Sequence, residues 1–164
     1  MCDAWGKKRM IPSVMTVRLL VTGSRGIVDA RIVMYVLDQT MMDLGGRSQI
    51  QDVIHGNAKG VDTLAGEWAA HYRIPVIKVA PTGPRHEKKS WAIRDRRMVD
   101  EFATHVVAIW DGTSPGTRIT WTYAQRRGKL IKCWLAKHVE EELGLRYETI
   151  AREAAPADDI LLED

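Results

Sequence analysis

Gly56-Asn57-Ala58-Lys59-Gly60-Val61-Asp62 follows an apolar run ending at Ile54 and His55, and leads into a segment of helical spacing, Thr63 to Tyr72, with Leu64 and Trp68 on one face. A strand, a tight turn and a helix start are the simplest account of that order. Glycine at such a turn permits positive φ and close approach of another group, and the free amides and positive dipole end of the helix attract an anion. An ordinary βα connection explains one such loop equally well. The fold is therefore decided by whether the pattern repeats.

It does repeat. Val17 to Val21 is a short apolar run followed by Thr22-Gly23-Ser24-Arg25-Gly26, and Ile27, Ile32, Val33, Val36, Leu37, Met41 and Leu44 then recur at near-helical spacing until Gly45 and Gly46. Further strands are predicted at Ile50 to His55, Val76 to Ala80, His105 to Trp110 and Leu130 to Leu135, with helices at about Trp91 to Phe102, capped by Ser90, and Thr117 to Arg127. Apolar strands alternating with helices predict an α/β, three-layer Rossmann-like fold with a mostly parallel sheet of five or slightly more strands. Residues 1–15 read as a flexible lead-in, 16–136 as the domain, and 137–164 as a helix with an acidic tail.

At 164 residues the chain is sized for one domain. Cys2 and Cys133 have no paired spacing, which points to a reducing, cytoplasmic setting. Pro12, Ser13, Thr16 and Arg18 interrupt the only apolar stretch near the start, so neither a signal peptide nor a membrane span is expected. The net charge of +3 is uneven: from Val139 onward nine acids face Arg146 and Arg152, leaving about ten positive charges on the rest. A basic body suits phosphate-bearing ligands, nucleic acid included, although a solvated surface has the same composition.

In a parallel sheet the loops leaving the carboxyl ends of the strands share one edge. Three of them here are rich in small residues. Gly23, Gly26, Gly56, Gly60, Gly112 and Gly116 can expose amides, Asn57 is a further candidate for ligand contact, and Ser24, Ser114 and Thr117 add hydroxyls. Arg25 and Arg94 can pair with phosphate. Asp62 and Asp111 suit ribose hydroxyls, a helix cap or a metal accompanying the phosphate, with Asp62 divided between cap and ligand contact. Five histidines (55, 71, 86, 105, 138) lack metal-site spacing, and only His55, at a strand's carboxyl end, lies where it could serve either a structural bond or a ligand. Trp91 and Trp110 flank these loops and can stack on a base or belong to the core.

Thr22-Gly23-Ser24-Arg25, His55 to Asp62, Arg94-Asp95-Arg96-Arg97-Met98 and Asp111 to Thr117, in this order, resemble the SLOG superfamily of Rossmann-like proteins, in particular its small YspA/YpsA-related branch. The resemblance covers about Val17 to Leu135. It implies strand order near 3-2-1-4-5, a pocket for a nucleotide or nucleotide-derived ligand, and a homo-oligomer. Relatives include Lonely Guy phosphoribohydrolases, a molybdenum-cofactor carrier and DNA-processing protein A, so function is open. Lonely Guy enzymes carry a PGGxGTxxE pattern, and Thr120 stands here where its glutamate would be. The standard hydrolytic mechanism lacks its acid. Asp95 occupies a position that is often Asn in YspA-like proteins.

The expected function is binding of a nucleotide-derived small molecule as a sensor or carrier, with no cofactor required and Mg2+ possible alongside a nucleotide. Two alternatives stand. One is a hydrolase of an N-glycosidic or phosphate bond using Asp62, Asp95 or Asp111; the other is a DNA-binding module.

Overall fold

The computed structural model describes residues 16–83 and 87–145. The predicted lead-in and most of the acidic tail lie outside them. Five parallel strands, β1 (Val17–Gly23), β2 (Ile50–His55), β3 (Val76–Lys78), β4 (His105–Trp110) and β5 (Leu130–Leu135), form one sheet in the order β3-β2-β1-β4-β5. This is the predicted three-layer Rossmann-like architecture.

Helices α1 (Ala30–Asp43), α2 (Val61–His71) and α5 (Ala136–Glu142) cover one face, and α3 (Lys88–Arg97), a π-helical turn (Met98–Phe102) and α4 (Pro115–Arg126) cover the other. The first face packs Ile32, Val33, Val36 and Leu37 of α1 and Ala65, Trp68 and Ala69 of α2 on Leu19, Val21 and Val53. The second packs Met98, Val99 and Ala124 on Leu20, Ile54 and Val106. Burying a side chain of this size contributes about 1.5–3 kcal/mol, so alternation along β1 between the two clusters fixes its register.

Two of the expected helix caps are not caps. Ser90 is not a cap: α3 starts two residues earlier, after Glu87, and Ser90 is buried within its first turn. Asp62 is not a cap either, because Gly60, at φ +75°, precedes a helix that starts at Val61. The direction in which strands are added reverses between β1, which leads outward to β2 and β3 on one side, and β4, which leads to β5 on the other. The crevice between β1 and β4 is therefore the switch point at which ligands bind in open parallel sheets.

Candidate functional site

Ser24 leaves β1 at this crevice and stitches it to β4. Its amide donates to the Ile109 carbonyl (3.1 Å), and its hydroxyl oxygen accepts from the Asp111 amide (3.1 Å). Asp111 then organises the loop beyond β4, its carboxylate accepting from the amides of Thr113 (2.8 Å) and Ser114 (2.7 Å) and from the Ser114 hydroxyl (2.6 Å). Burial pushes the Asp111 carboxyl upward, but bonds from Ser114, Thr113 and Ser24 outweigh it and hold the group well below the usual carboxylate range. Trp110 braces the same loop, its indole N–H donating to the Ser114 carbonyl (3.0 Å) and its ring packing against Trp121.

With Ser114 turned toward Asp111, the N-terminus of α4 has no side-chain cap. Pro115 brings no amide, so those of Gly116 and Thr117 are the orphan donors of the first turn. A Cβ at Gly116 would meet nothing within 4 Å, so this end of the helix opens outward. Gly112, at φ +89°, makes the turn before it.

The other glycines are required by the protein's own packing. A Cβ on Gly23 would lie 2.5 Å from Val61, one on Gly60 2.5 Å from the Arg25 carbonyl oxygen, and one on Gly56 2.6 Å from the Arg94 guanidinium. The loops after β1 and β2 are thus seated on one another, and the second of them on α3. Asn57, at φ +58°, donates its amide to His55 Nδ1 (2.9 Å). That bond places the proton of the neutral ring on Nε2, which is buried against Gly66 without a partner among the described residues. Burial, with Lys78 and Arg94 nearby, lowers His55 to about 4. His55 is part of the scaffold under the site.

A polar chain crosses from loop to helix behind these elements. Arg94, almost fully buried, donates to the Gly56 carbonyl (2.8 Å) and through Nε and Nη2 to one oxygen of Asp95 (2.9 and 2.7 Å). The other Asp95 oxygen accepts from the Thr120 hydroxyl (3.1 Å), which also lies 3.0 Å from the Gly116 carbonyl. Arg94 therefore holds the loop after β2 rather than reaching outward. Asp62 accepts from the Ala58 amide (3.1 Å); burial lifts it to about 6, partly offset by the Ala58 bond and the charge of Arg94, while the charge of Asp95 adds to the rise. The structure gathers Asp62, Arg94, Asp95, Gly56 and Thr120, and leaves Asp111 to its own loop.

Arg25 is exposed and its guanidinium lies 4.0 Å from the Trp91 ring centroid, joining the loop after β1 to α3. Sequence reasoning had named Arg25 and Trp91 separately. It had named Thr120 only for the acid it lacks, although its hydroxyl is what meets Asp95. The readable signal was spacing: Thr117, Thr120 and Ala124 form the buried stripe of α4. Among the described residues no three His, Cys, Asp or Glu side chains gather where a metal could be held, and no helix is long and apolar enough to cross a membrane.

Fold and site define a Rossmann-like α/β protein whose polar loops meet at the sheet's switch point. The chain belongs to the YspA, cpYpsA-related SLOG family. The sequence model of that family matches residues 17–86, which include the loops after β1 and β2. The Gene 61 protein of Mycobacterium phage D29 is 34% identical over 116 residues, spanning 68% of this chain and 90% of the phage protein.

Proposed function

We propose that the chain binds a nucleotide or nucleotide-derived small molecule at the β1/β4 crevice, as a sensor or carrier in the cytoplasm, and works as a homo-oligomer. The observation that carries this reading is the uncapped, outward-facing N-terminus of α4, where the Gly116 and Thr117 amides meet the helix dipole beside the switch point. Phosphate rests on those amides. Arg25 supplies the exposed charge, Trp91 an aromatic face, and Asp62 and Asp95 are the acceptors for sugar hydroxyls. Mg2+ that arrives with a nucleotide takes its ligands from phosphate and water, with one carboxylate at most.

Thermal unfolding against mononucleotides, cyclic nucleotides, NAD and ADP-ribose, each with Mg2+ and with EDTA, tests it. A ligand at about 100 times its Kd adds about 2.7 kcal/mol, and Gly116→Val and Arg25→Ala should each abolish that rise. If no member of the panel moves the midpoint of the folded protein, the reading fails. Sedimentation across a concentration series checks the assembly.

A second reading, hydrolysis of an N-glycosidic or phosphate bond, draws on Asp62, a carboxyl that burial lifts to about 6, with Asp95 nearby. A carboxyl that holds its proton closer to neutrality is the kind of acid such chemistry uses. The ligand that raises the midpoint should then be consumed, more slowly as pH rises through about 6, and not at all by Asp95→Asn. Binding without product retains the first reading.

A further inference from the structure

The outer face of α4 carries a second feature that the nucleotide site does not use. Arg96 of α3 and Pro115, Arg118, Ile119, Thr122, Tyr123 and Arg126 of α4 line an open groove of about 410 Å³. The other exposed arginines of this side are engaged, Arg97 with Glu101 (2.9 Å) and Arg127 with Asp100 (2.7 Å), whereas Arg96, Arg118 and Arg126 form no ion pair among the described residues. Arg96 lies over the Tyr123 ring at 5.6 Å, and Ile119 is 54% exposed between the arginines. Three arginines without an ion-pair partner among the described residues thus surround an aromatic and aliphatic floor, with Arg127 also 5.6 Å from the Tyr123 ring centre.

The charge continues beyond the groove. Helices α3 and α4 with the π-helical turn hold seven basic residues against Asp95, Asp100 and Glu101, while α1, α2 and α5 hold seven acids against Arg31 and Lys137. The two outer layers are of opposite sign. A polyanion is attracted to one and turned away from the other.

We propose that the α3–α4 face binds single-stranded nucleic acid, with phosphates on Arg96, Arg118 and Arg126 and a base on the Tyr123–Ile119 floor. Arg118 and Arg126 are eight residues apart on one helix, roughly 12 Å, a span that serves more than one phosphate. A duplex would use the arginines and leave the floor empty, whereas an unpaired strand can use both. This groove runs along the outer face of α4 from Pro115, next to the β1/β4 crevice, to Arg126, and shares neither Arg25 nor the Gly116 and Thr117 amides with that crevice.

Fluorescence anisotropy of a labelled 12-nucleotide oligothymidylate, titrated with the full chain at 50 and 200 mM salt, reads the proposal. Three phosphate contacts predict that affinity falls about 20-fold between those salts. Arg118→Ala with Arg126→Ala should weaken binding at least tenfold at 50 mM and flatten the salt dependence, while Arg25→Ala, in the other site, changes it less than twofold. Both arginines of the double variant are exposed and have no ion-pair partner among the described residues, and an unchanged melting midpoint confirms folding. The proposal is overturned if no binding occurs at 50 mM, if Arg25→Ala removes it, or if a 12-base-pair duplex binds as tightly as the single strand. It is also overturned if the double variant binds no worse but dissociates an oligomer, which would make the groove a contact between copies.

Discussion

Over pH 4 to 6 the folded chain keeps a proton on Asp62 that the unfolded chain has released, because burial lifts this carboxyl from 3.8 to about 6. That contribution lowers stability as pH rises through the window and is level above it. His55 does the opposite. Its folded pKa of about 4 lies below the ordinary 6.5, so the unfolded state takes up the extra proton and stability rises with pH from 4 to 6.5. The two contributions largely cancel in the native protein. Asp62→Asn keeps an amide oxygen for the Ala58 N–H and removes one of them, so its stability should climb about 2 kcal/mol more steeply than the native curve between pH 4 and 6.5. Urea unfolding at half-unit pH intervals checks this, and parallel curves would contradict it. Glycines give a second contrast at the same scale. Gly60→Ala places a Cβ against two carbonyls at positive φ and should cost about 2–4 kcal/mol. Gly116→Ala meets open space in a helix and should be neutral or stabilising by up to about 1 kcal/mol.

Among the elements, α4 joins scaffold to site. Its buried stripe of Thr117, Thr120 and Ala124 is small enough to admit Asp95, and its start depends on the Asp111 loop. Asp111→Ala removes three hydrogen bonds that hold the turn and should cost about 1–2 kcal/mol. Because the native carboxyl is held low, the stability Asp111 supplies is present above the ordinary carboxylate pKa and lost as pH falls below it, so the deficit of the variant should shrink in acid. Chemical denaturation at pH 7 and pH 3 measures both effects. The strands were legible because β1, β2 and β4 are buried runs closed by glycine or polar turns, while β5, a half-exposed edge strand, is still a mostly apolar run that starts after the Gly128 turn. The extent of β3 was overestimated: Val79 still donates its amide to the His55 carbonyl (3.0 Å), but the strand itself ends at Lys78. The place of the three loops followed from topology alone. The engagement of Arg94 did not, because an arginine beside a glycine loop has one spelling whether it meets phosphate or a carbonyl. Similarly, Gly23, Gly56 and Gly60 look like ligand clearances in sequence and become packing clearances only when the neighbouring loop is in place.

At the scale of the whole molecule, a net charge of +3 conceals the separation of charge by layer. The segregation was invisible along the chain because acidic α1 and α2 come first, basic α3 and α4 follow, and acidic α5 returns to the first face; topology sorts what sequence order mixes. If net charge alone governed contact with a polyanion, neutralising any two cations would have the same effect. If the layers govern it, position decides. Arg118→Gln with Arg126→Gln and Arg31→Gln with Lys137→Gln change the net charge equally, one pair on the basic layer and one on the acidic. Elution from a sulfonate cation exchanger should therefore move to clearly lower salt for the first pair and stay near the native position for the second. Arg31 is ion-paired with Asp29 (2.9 Å), which further reduces what its loss can change. Equal shifts for the two pairs would mean that the molecule meets an anionic surface in no preferred orientation, and the groove on α4 would then lose its electrostatic argument even if it binds an oligonucleotide.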